Sequence, residues 1–266
     1  MNNIKDRNNV RVIGEGKKTI MFAHGFGCDQ KIWSFLIPYF EKDYRIVLFD
    51  YVGSGKSDMS AYDEERYKDL KGYSKDILEI LDELNIGEVI FVGHSVSGMI
   101  GLLSAIDKPE YFEKLIMICP SSRYINDKPN YIGGFDDSDV KELLKMMEMN
   151  FVGWATMNAA ALMNSPEQPM LAHRLKETFC KENSLIMKNF AKATFLSDHR
   201  CDLPKATVPS LIIQCSEDSI VPIEAANYLH ENLKNSNLKV LDAKGHYPNI
   251  SSPEETADII LQYLSL

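Results

Sequence analysis

The stretch VIFVGHSVSG, residues 89–98, decides the fold of this chain. Four apolar residues run directly into Gly93-His94-Ser95-Val96-Ser97, and a helical pattern follows. This order is typical of a nucleophile elbow, a tight strand-to-helix turn that holds a serine hydroxyl at the edge of a sheet. The strict motif has glycine where Ser97 stands, but serine is also small and Gly98 follows. For the pentapeptide alone, an ordinary strand-to-helix turn remains the alternative.

Strand-like and helix-like segments alternate on both sides of this turn. The apolar runs that predict strands are Val10–Ile13, Thr19–Ala23, Arg45–Phe49, Val89–Val92, Leu115–Cys119, Leu211–Gln214 and Leu238–Leu241. The segments that predict helices are Lys31–Tyr39, Tyr73–Leu84, Val96–Ile106, Glu224–Leu233 and Glu254–Leu264. Gly14-Glu15-Gly16 predicts a hairpin turn between the first two strands. Together the alternation predicts an α/β fold, a mostly parallel sheet with helices on both faces.

The alternation stops after Pro120 and resumes near Val208. The segments between predict helices only: Ser138–Asn150, Trp154–Met163, Met170–Phe179 and Ser184–Phe195. We therefore expect a core formed by residues 1–121 and 205–266 and an inserted helical cap, residues 122–204. Seven of the twelve methionines fall in the insertion, either as ordinary core filler or as an adaptable pocket wall.

A second motif complements the elbow. Phe22-Ala23-His24-Gly25-Phe26-Gly27 ends an early strand, where such an architecture supplies an oxyanion donor. The backbone N–H groups of Phe26 and Val96 are the expected pair. We expect His24 to be a structural histidine, because it precedes the turn and His246, described next, is a better candidate for the base.

The acid and the base follow later strands. Asp218 lies in Ser216-Glu217-Asp218, a loop at the carboxyl end of a strand, which is the active-site edge of a parallel sheet. Glu217 and Asp242 are the alternatives to Asp218. His246 follows the last strand in a loop opened by a glycine. The chain order Ser95, Asp218, His246 is the order expected of a catalytic triad in this architecture.

Composition excludes several other classes of function. The net charge is −9 and no basic stripe occurs, so nucleic acid is not an expected partner. The polar N-terminus has no secretory apolar segment, and no apolar run is long enough to span a membrane. Five scattered cysteines without a C-x-x-C pair predict thiols in a reducing, cytoplasmic compartment, with no metal and no cofactor.

One sequence resembles a nucleotide-binding motif without meeting its requirements. Gly53-Ser54-Gly55-Lys56-Ser57 looks like the end of a phosphate-binding loop. That loop requires a glycine five residues before Gly55, and Asp50 stands there. We expect a simple turn and no bound nucleotide.

Longer motifs resemble one family in particular. They are HGFGCDQKIW (24–33), LFDYVGSGKSD (48–58), GHSVSGMIG (93–101), YIND to GGF (124–135) and FLSDHR (195–200). The chain resembles the RsbQ-like α/β-hydrolases, which are bacterial stress regulators, and is similar to plant karrikin and strigolactone receptors. The similarity extends over essentially the whole chain, cap included.

The resemblance implies a four-helix, V-shaped cap over a hydrophobic pocket and slow hydrolysis of a small apolar ester-like ligand. It places Phe26 and Val96 at the oxyanion positions. It also places five aromatic residues at pocket walls, each of which would otherwise be ordinary core packing: Tyr124, Phe135, Trp154, Phe190 and Phe195.

The resemblance also implies a biological output. RsbQ-like proteins support a PAS-domain phosphatase that switches on a stress sigma factor, so such a phosphatase is a possible partner. A metabolic carboxylesterase with no signalling role is the alternative, and it needs the same triad. A haloalkane dehalogenase is disfavoured, because its nucleophile is a carboxylate and Ser95 is a serine.

Overall fold

The computed structural model of the chain describes residues 3–181 and 184–266. In that part of the chain seven strands form one sheet: β1 (Arg11–Ile13), β2 (Lys18–Ala23), β3 (Tyr44–Leu48), β4 (Val89–His94), β5 (Phe112–Ile118), β6 (Ser210–Glu217) and β7 (Ser236–Lys244). Their order across the sheet is β1-β3-β2-β4-β5-β6-β7. Every neighbouring pair except β1 with β3 is parallel.

Strand β4 lies at the centre of this sheet. It pairs with β2 on one side and with β5 on the other, so that Val92 is opposite Phe22 and Ile116. All six residues of β4 are buried, as expected of an apolar strand covered on both faces. The prediction of an α/β fold with a mostly parallel sheet is confirmed.

The predicted hairpin between the first two strands is wrong. Strand β1 pairs antiparallel with β3, with Arg11 opposite Leu48. Strand β2 already has parallel neighbours on both sides, β3 and β4, so it has no free edge for β1. The chain turns at Gly14, whose φ of +74° suits glycine, and there a Cβ would lie 2.3 Å from the Tyr44 carbonyl oxygen.

Ten α-helices lie in the described residues: α1 (Ile4–Arg7), α2 (Leu70–Leu84), α3 (Val96–Asp107), α4 (Asp137–Met149), α5 (Phe151–Met163), α6 (Pro169–Lys181), α7 (Ser184–Phe195), α8 (Ile223–Asn232), α9 (Pro248–Ser251) and α10 (Pro253–Leu264). Helix α3 packs against β4, β5 and α2, and α8 packs against β6 and β7. Asp69 caps the start of α2 by accepting from the Lys71 N–H, and Asn85 ends that helix in the left-handed conformation. None of these helices is long and apolar enough to cross a membrane.

The helix predicted for Lys31–Tyr39 is also wrong. The structure has two short 3-10 helices there, Gln30–Trp33 and Ile37–Tyr39. Pro38 lies inside the predicted helix, and proline has no N–H to donate to a preceding turn. The apolar residues of this segment therefore lie on two short 3-10 helices instead of one α-helix.

The segment between β5 and β6 contains helices α4 to α7 and no strand in the part that the structure describes. Helix α5 packs against α6, and α4 packs against both α5 and α7. The chain enters this insertion from the carboxyl end of β5 and leaves it at the amino end of β6, which is parallel to β5. Ring contacts such as that of Trp154 on α5 with Phe26, in the loop after β2, place the helices near the carboxyl edge of the strands.

Candidate active site

The turn between β4 and α3 holds Ser95 in a strained backbone conformation. Ser95 has φ 55° and ψ −124°, which L residues rarely adopt. The turn closes so tightly that a Cβ on Gly93 would lie 2.5 Å from the Ser97 carbonyl oxygen. Strain of this kind persists where the surrounding structure holds it, and here it leaves the serine side chain at the start of a helix.

The structure brings Ser95, His246 and Asp218 together. The Nε2 atom of His246 is 2.8 Å from the Ser95 Oγ, and its Nδ1 atom is 2.8 Å from the Asp218 Oδ2. A carboxylate can only accept, so Nδ1 carries the proton and Nε2 is the acceptor for the Ser95 hydroxyl. This is the tautomer that a general base needs.

The carboxyl group of Asp218 is held ionised. Burial acts to raise its pKa, but the His246 ring and the backbone N–H groups of Ile220 and Val221 lower it below its ordinary value. Both N–H groups donate to Oδ1, at 2.8 and 3.2 Å. The two alternative acids are elsewhere: the Glu217 side chain is exposed and pairs with Lys244, and Asp242 is exposed on β7.

His94, directly before Ser95, holds the loop that carries His246. Its fully buried ring is 2.7 Å from the backbone oxygen of His246 through Nε2. Burial, together with the nearby His246 ring, lowers the pKa of His94 to about 3. The ring is therefore neutral, and its Nε2–H donates to the loop that carries His246.

Ser97, at the position where the strict motif has glycine, forms side-chain hydrogen bonds to neighbouring segments. Its hydroxyl donates to the His24 carbonyl oxygen at 2.5 Å and lies 2.9 Å from the Tyr51 hydroxyl. His24 uses both ring nitrogens, at 2.9 Å from the Gly25 oxygen and 3.2 Å from the Tyr51 nitrogen. Neither nitrogen of His24 is left for proton transfer, as expected of a structural histidine.

The loop after β2 faces the same site. Val96 begins α3, so its N–H is in the first turn, where helices lack internal acceptors. Gly27 has a φ of +70°, and a Cβ there would lie 2.2 Å from the Phe179 ring. The loop around Phe26 is thus fixed between the elbow and α6.

A cavity of about 170 Å³ lies over Ser95. Its lining residues are Phe26, Ser95, Tyr124, Phe135, Leu143, Trp154, Asn158, Ala161, Leu162, Phe179, Thr194, Phe195, Ser219, Ile220, His246 and Tyr247. The wall is mainly aromatic and aliphatic, and it joins residues of the sheet edge to residues of α4 to α7. Burial raises the pKa of the Tyr124 hydroxyl, against the lowering effect of the nearby Ser95 hydroxyl, so Tyr124 stays protonated.

Four of the five aromatic residues expected at the pocket line this cavity, and Phe190 does not. Its ring stacks on Tyr73 at 4.3 Å and packs against the Phe26 ring at 5.7 Å, one layer behind the wall. No methionine of the described residues lines the cavity, so the methionine-rich pocket wall is wrong. Met163 and Met187 are instead buried core.

Most of the non-aromatic wall was not predicted from the sequence. Part of it lies on α5, where Asn158, Ala161 and Leu162 follow Trp154 at helical spacing and share one face with it. That periodicity, anchored on Trp154, is a signal from which they could have been found.

Among the described residues, one group has the composition of a metal site. A ligand atom from each of Cys119, Asp218 and His246 lies within 4.8 Å of the others. Both ring nitrogens of His246 already contact Ser95 and Asp218, and burial raises the pKa of the Cys119 thiol. The donor set therefore fits a triad beside a neutral thiol better than it fits a metal site.

A mostly parallel sheet, a serine on a strained strand-to-helix turn and a histidine bonded to an acid define the α/β-hydrolase class. The family model described as the alpha/beta hydrolase fold matches residues 18–253, so the chain belongs to that family. Membership supports hydrolase activity.

Relatives extend the likeness over the whole chain. The sequence is 36% identical over 262 residues to a karrikin insensitive 2 receptor of Petunia hybrida, covering 98% of this chain and 97% of the relative. It is 36% identical over 263 residues to a strigolactone esterase of Arabidopsis thaliana, covering 98% of each. A solved hydrolase from Oleispira antarctica matches with a TM-score of 0.96 at 38% identity, covering 99% of this chain and 96% of that one.

Proposed function

We propose that this chain is a serine hydrolase that cleaves small carboxylic esters through Ser95, His246 and Asp218. The observation that carries the proposal is the position of the His246 ring, which is 2.8 Å from both the Ser95 hydroxyl and the Asp218 carboxylate. The family to which the chain belongs, and relatives that are named esterases, support it.

The chemistry follows from these contacts. His246 Nε2 takes the proton as Ser95 Oγ bonds to the ester carbonyl carbon, and Asp218 stabilises the resulting imidazolium. Collapse of the tetrahedral intermediate breaks the bond to the alcohol oxygen, which takes the proton from His246. Water then hydrolyses the acyl-enzyme in the same way, releasing the acid and free Ser95.

We assign the oxyanion hole to the backbone N–H groups of Phe26 and Val96. Both belong to turns that border Ser95, and neither requires a side chain for its role. Such a preorganised donor typically contributes about 3–4 kcal/mol to transition-state stabilisation.

The cavity sets the size and character of the substrate. At roughly 30 Å³ per water-sized group, 170 Å³ accommodates on the order of six such groups. The wall is mainly apolar, so the substrate is a small, largely apolar ester or lactone. We also propose that residues 122–204, which supply much of the wall, act as a cap over Ser95.

Hydrolysis of short-chain nitrophenyl esters tests the proposal. The wild-type protein should hydrolyse them in the presence of a chelator, and Ser95→Ala should lower kcat by roughly 10⁴–10⁶-fold, because the triad acts as a unit. An alkyl fluorophosphonate should add a single group to Ser95, detected by mass spectrometry. Undiminished activity in Ser95→Ala would refute the proposal.

A second function, regulation of a partner protein, is favoured by two observations. A whole-length relative is named as a receptor, and the cap helices expose large apolar side chains: Met149 is 75% exposed and Met157 is 77% exposed. Exposed apolar groups on one part of a surface are typical of contact sites. The partner we propose, from the resemblance to RsbQ-like regulators, is a cytoplasmic PAS-domain phosphatase.

Affinity capture from the native cell separates regulation from metabolism. If the cap binds a phosphatase, the variants that carry Met149→Lys should capture less of it than wild-type protein and Ser95→Ala do. A regulator should also turn over esters slowly. Capture of no signalling protein, together with a kcat on the order of 10 s⁻¹ or more for a common ester, indicates an ordinary esterase.

A further inference from the structure

Strand β6 carries a buried polar side chain directly before the acid loop. The strand reads Ser210-Leu211-Ile212-Ile213-Gln214-Cys215, and Gln214 is fully buried among apolar neighbours. A buried amide destabilises the fold unless it is hydrogen-bonded. Its partners therefore indicate why it is there.

The amide of Gln214 spans the loop that carries Asp218. Its Nε2 donates to the Asp218 Oδ2 at 3.1 Å and to the Val221 carbonyl oxygen at 2.9 Å. The opposite orientation of the amide would place its oxygen against a carboxylate and a carbonyl, so the assignment of nitrogen is fixed by the network. The same Oδ2 accepts from His246 at 2.8 Å.

We propose that Gln214 is a positioning residue for Asp218, an inference that rests on the proposed triad. Backbone N–H groups of Ile220 and Val221 hold the other carboxylate oxygen, Oδ1. Gln214 supplies the opposing donor on Oδ2, so the carboxylate cannot rotate away from the imidazole. As a neutral donor, it fixes the carboxylate without the competing charge that a lysine or arginine would bring.

Replacement of the amide by a chain of similar length tests this role. Gln214→Met should lower kcat by about 10–100-fold on nitrophenyl esters and change KM less than threefold, because a hydrogen bond to a charged group is lost while the cavity wall is unchanged. Ser210→Ala is the matched control. It removes a buried hydrogen bond, to the Val208 oxygen, at the other end of the same strand, and should leave kcat within threefold.

A double-mutant cycle separates positioning from general stability. If Gln214 acts through Asp218, Gln214→Met should have less than a threefold effect on kcat in the Asp218→Asn background. Equal losses in both backgrounds would overturn the proposal, because they would show that Gln214 acts independently of the acid.

A donor-restoring variant covers the case in which Gln214→Met does not fold. In Gln214→Glu, burial and the Asp218 charge raise the pKa of the new carboxyl, so at pH 6 it can donate as an acid. The kcat ratio to wild type at pH 6 should then be within fivefold. A loss of more than a hundredfold at pH 6 in a folded variant contradicts the proposal.

A readout without turnover distinguishes failure of this inference from failure of the proposed function. The His246 Nδ1–H proton, bonded to Asp218, should give a downfield proton resonance in the wild type that is shifted or exchange-broadened in Gln214→Met and unchanged in Ser210→Ala. An unchanged resonance in Gln214→Met would overturn the positioning role whether or not the wild type hydrolyses esters. Absence of Ser95 labelling in the wild type would refute only the hydrolase.

Discussion

The carboxyl edge of the sheet and the helices between β5 and β6 build one site by different means. At the sheet edge, each group is held by named hydrogen bonds: Asp218 by two backbone N–H groups and Gln214, and the His246 loop by His94. In the helical insertion, the wall is formed by packed aromatic rings, such as Trp154 against Phe179 at 5.6 Å.

The difference teaches which changes each region tolerates. Hydrogen bonds have narrow limits of distance and angle, so loss of one group at the sheet edge displaces the others. Aromatic packing depends mainly on area and volume, and a related side chain can partly replace a lost one. We therefore expect substitutions at the sheet edge to change kcat and substitutions in the insertion to change KM.

Among the substitutions that test this comparison, the largest effect on kcat is expected at Asp218. Asp218→Asn should lower kcat by roughly 10³–10⁴-fold, because an amide at this position favours the wrong tautomer of His246. The fold should persist, since the amide oxygen can still accept from Ile220. Kinetics on nitrophenyl esters, with circular dichroism of the folded protein, measure both.

The alternative acids provide the controls for that variant. Glu217→Gln and Asp242→Asn should retain kcat within threefold, because both side chains are exposed and neither contacts His246. If either control abolishes turnover while Asp218→Asn does not, the acid is misassigned.

An intermediate effect is expected in the cavity wall. Trp154→Leu should raise KM for an aromatic ester about tenfold and change kcat less than threefold, because apolar contact area with the ligand is lost. Phe151→Leu is the matched control: its ring stacks on Trp154 at 5.9 Å but does not line the cavity. Equal KM values for the two variants would show that the cavity does not hold the substrate.

The smallest expected effect is the contribution of His94 to the pH dependence of the folding free energy. Burial lowers the pKa of His94 from 6.5 to about 3, so its contribution to stability is fully present above pH 6.5 and is lost as the pH falls towards 3. Each pH unit in that window costs about 1.4 kcal/mol of folding free energy. His94→Asn keeps an N–H group but does not titrate there.

Urea unfolding at pH 7.5 and pH 5 measures this contribution. Wild type should lose about 1.4–2 kcal/mol more than His94→Asn between the two pH values. Both proteins retain His24 and His246, so the difference isolates His94. Equal losses would show that His94 is not held neutral by burial.

Much of this molecule could be predicted because its signals are local. The turn at Gly93–Ser97 and the apolar strand before it are adjacent in sequence, so steric limits on a few backbone angles define the elbow. The order of strands and helices, and thus the positions of Asp218 and His246 after successive strands, follows from periodicity. From these the sequence alone determined the fold class and proposed the three residues that the structure brings together.

Tertiary structure decided what depends on distant segments. Strand β1 pairs with β3 because the interior position of β2 leaves it no free edge. Phe190 lies behind the cavity wall and Phe179 lies in it, although both are apolar residues on helices, because the packing of α6 and α7 orients them differently. In the sequence, Gln214 is an ordinary strand residue, because Asp218 and Val221 contact its amide only in the folded loop. A local pattern fixes the turn or helix that a residue joins, whereas the partner of its side chain is fixed only when segments far apart in the chain pack together.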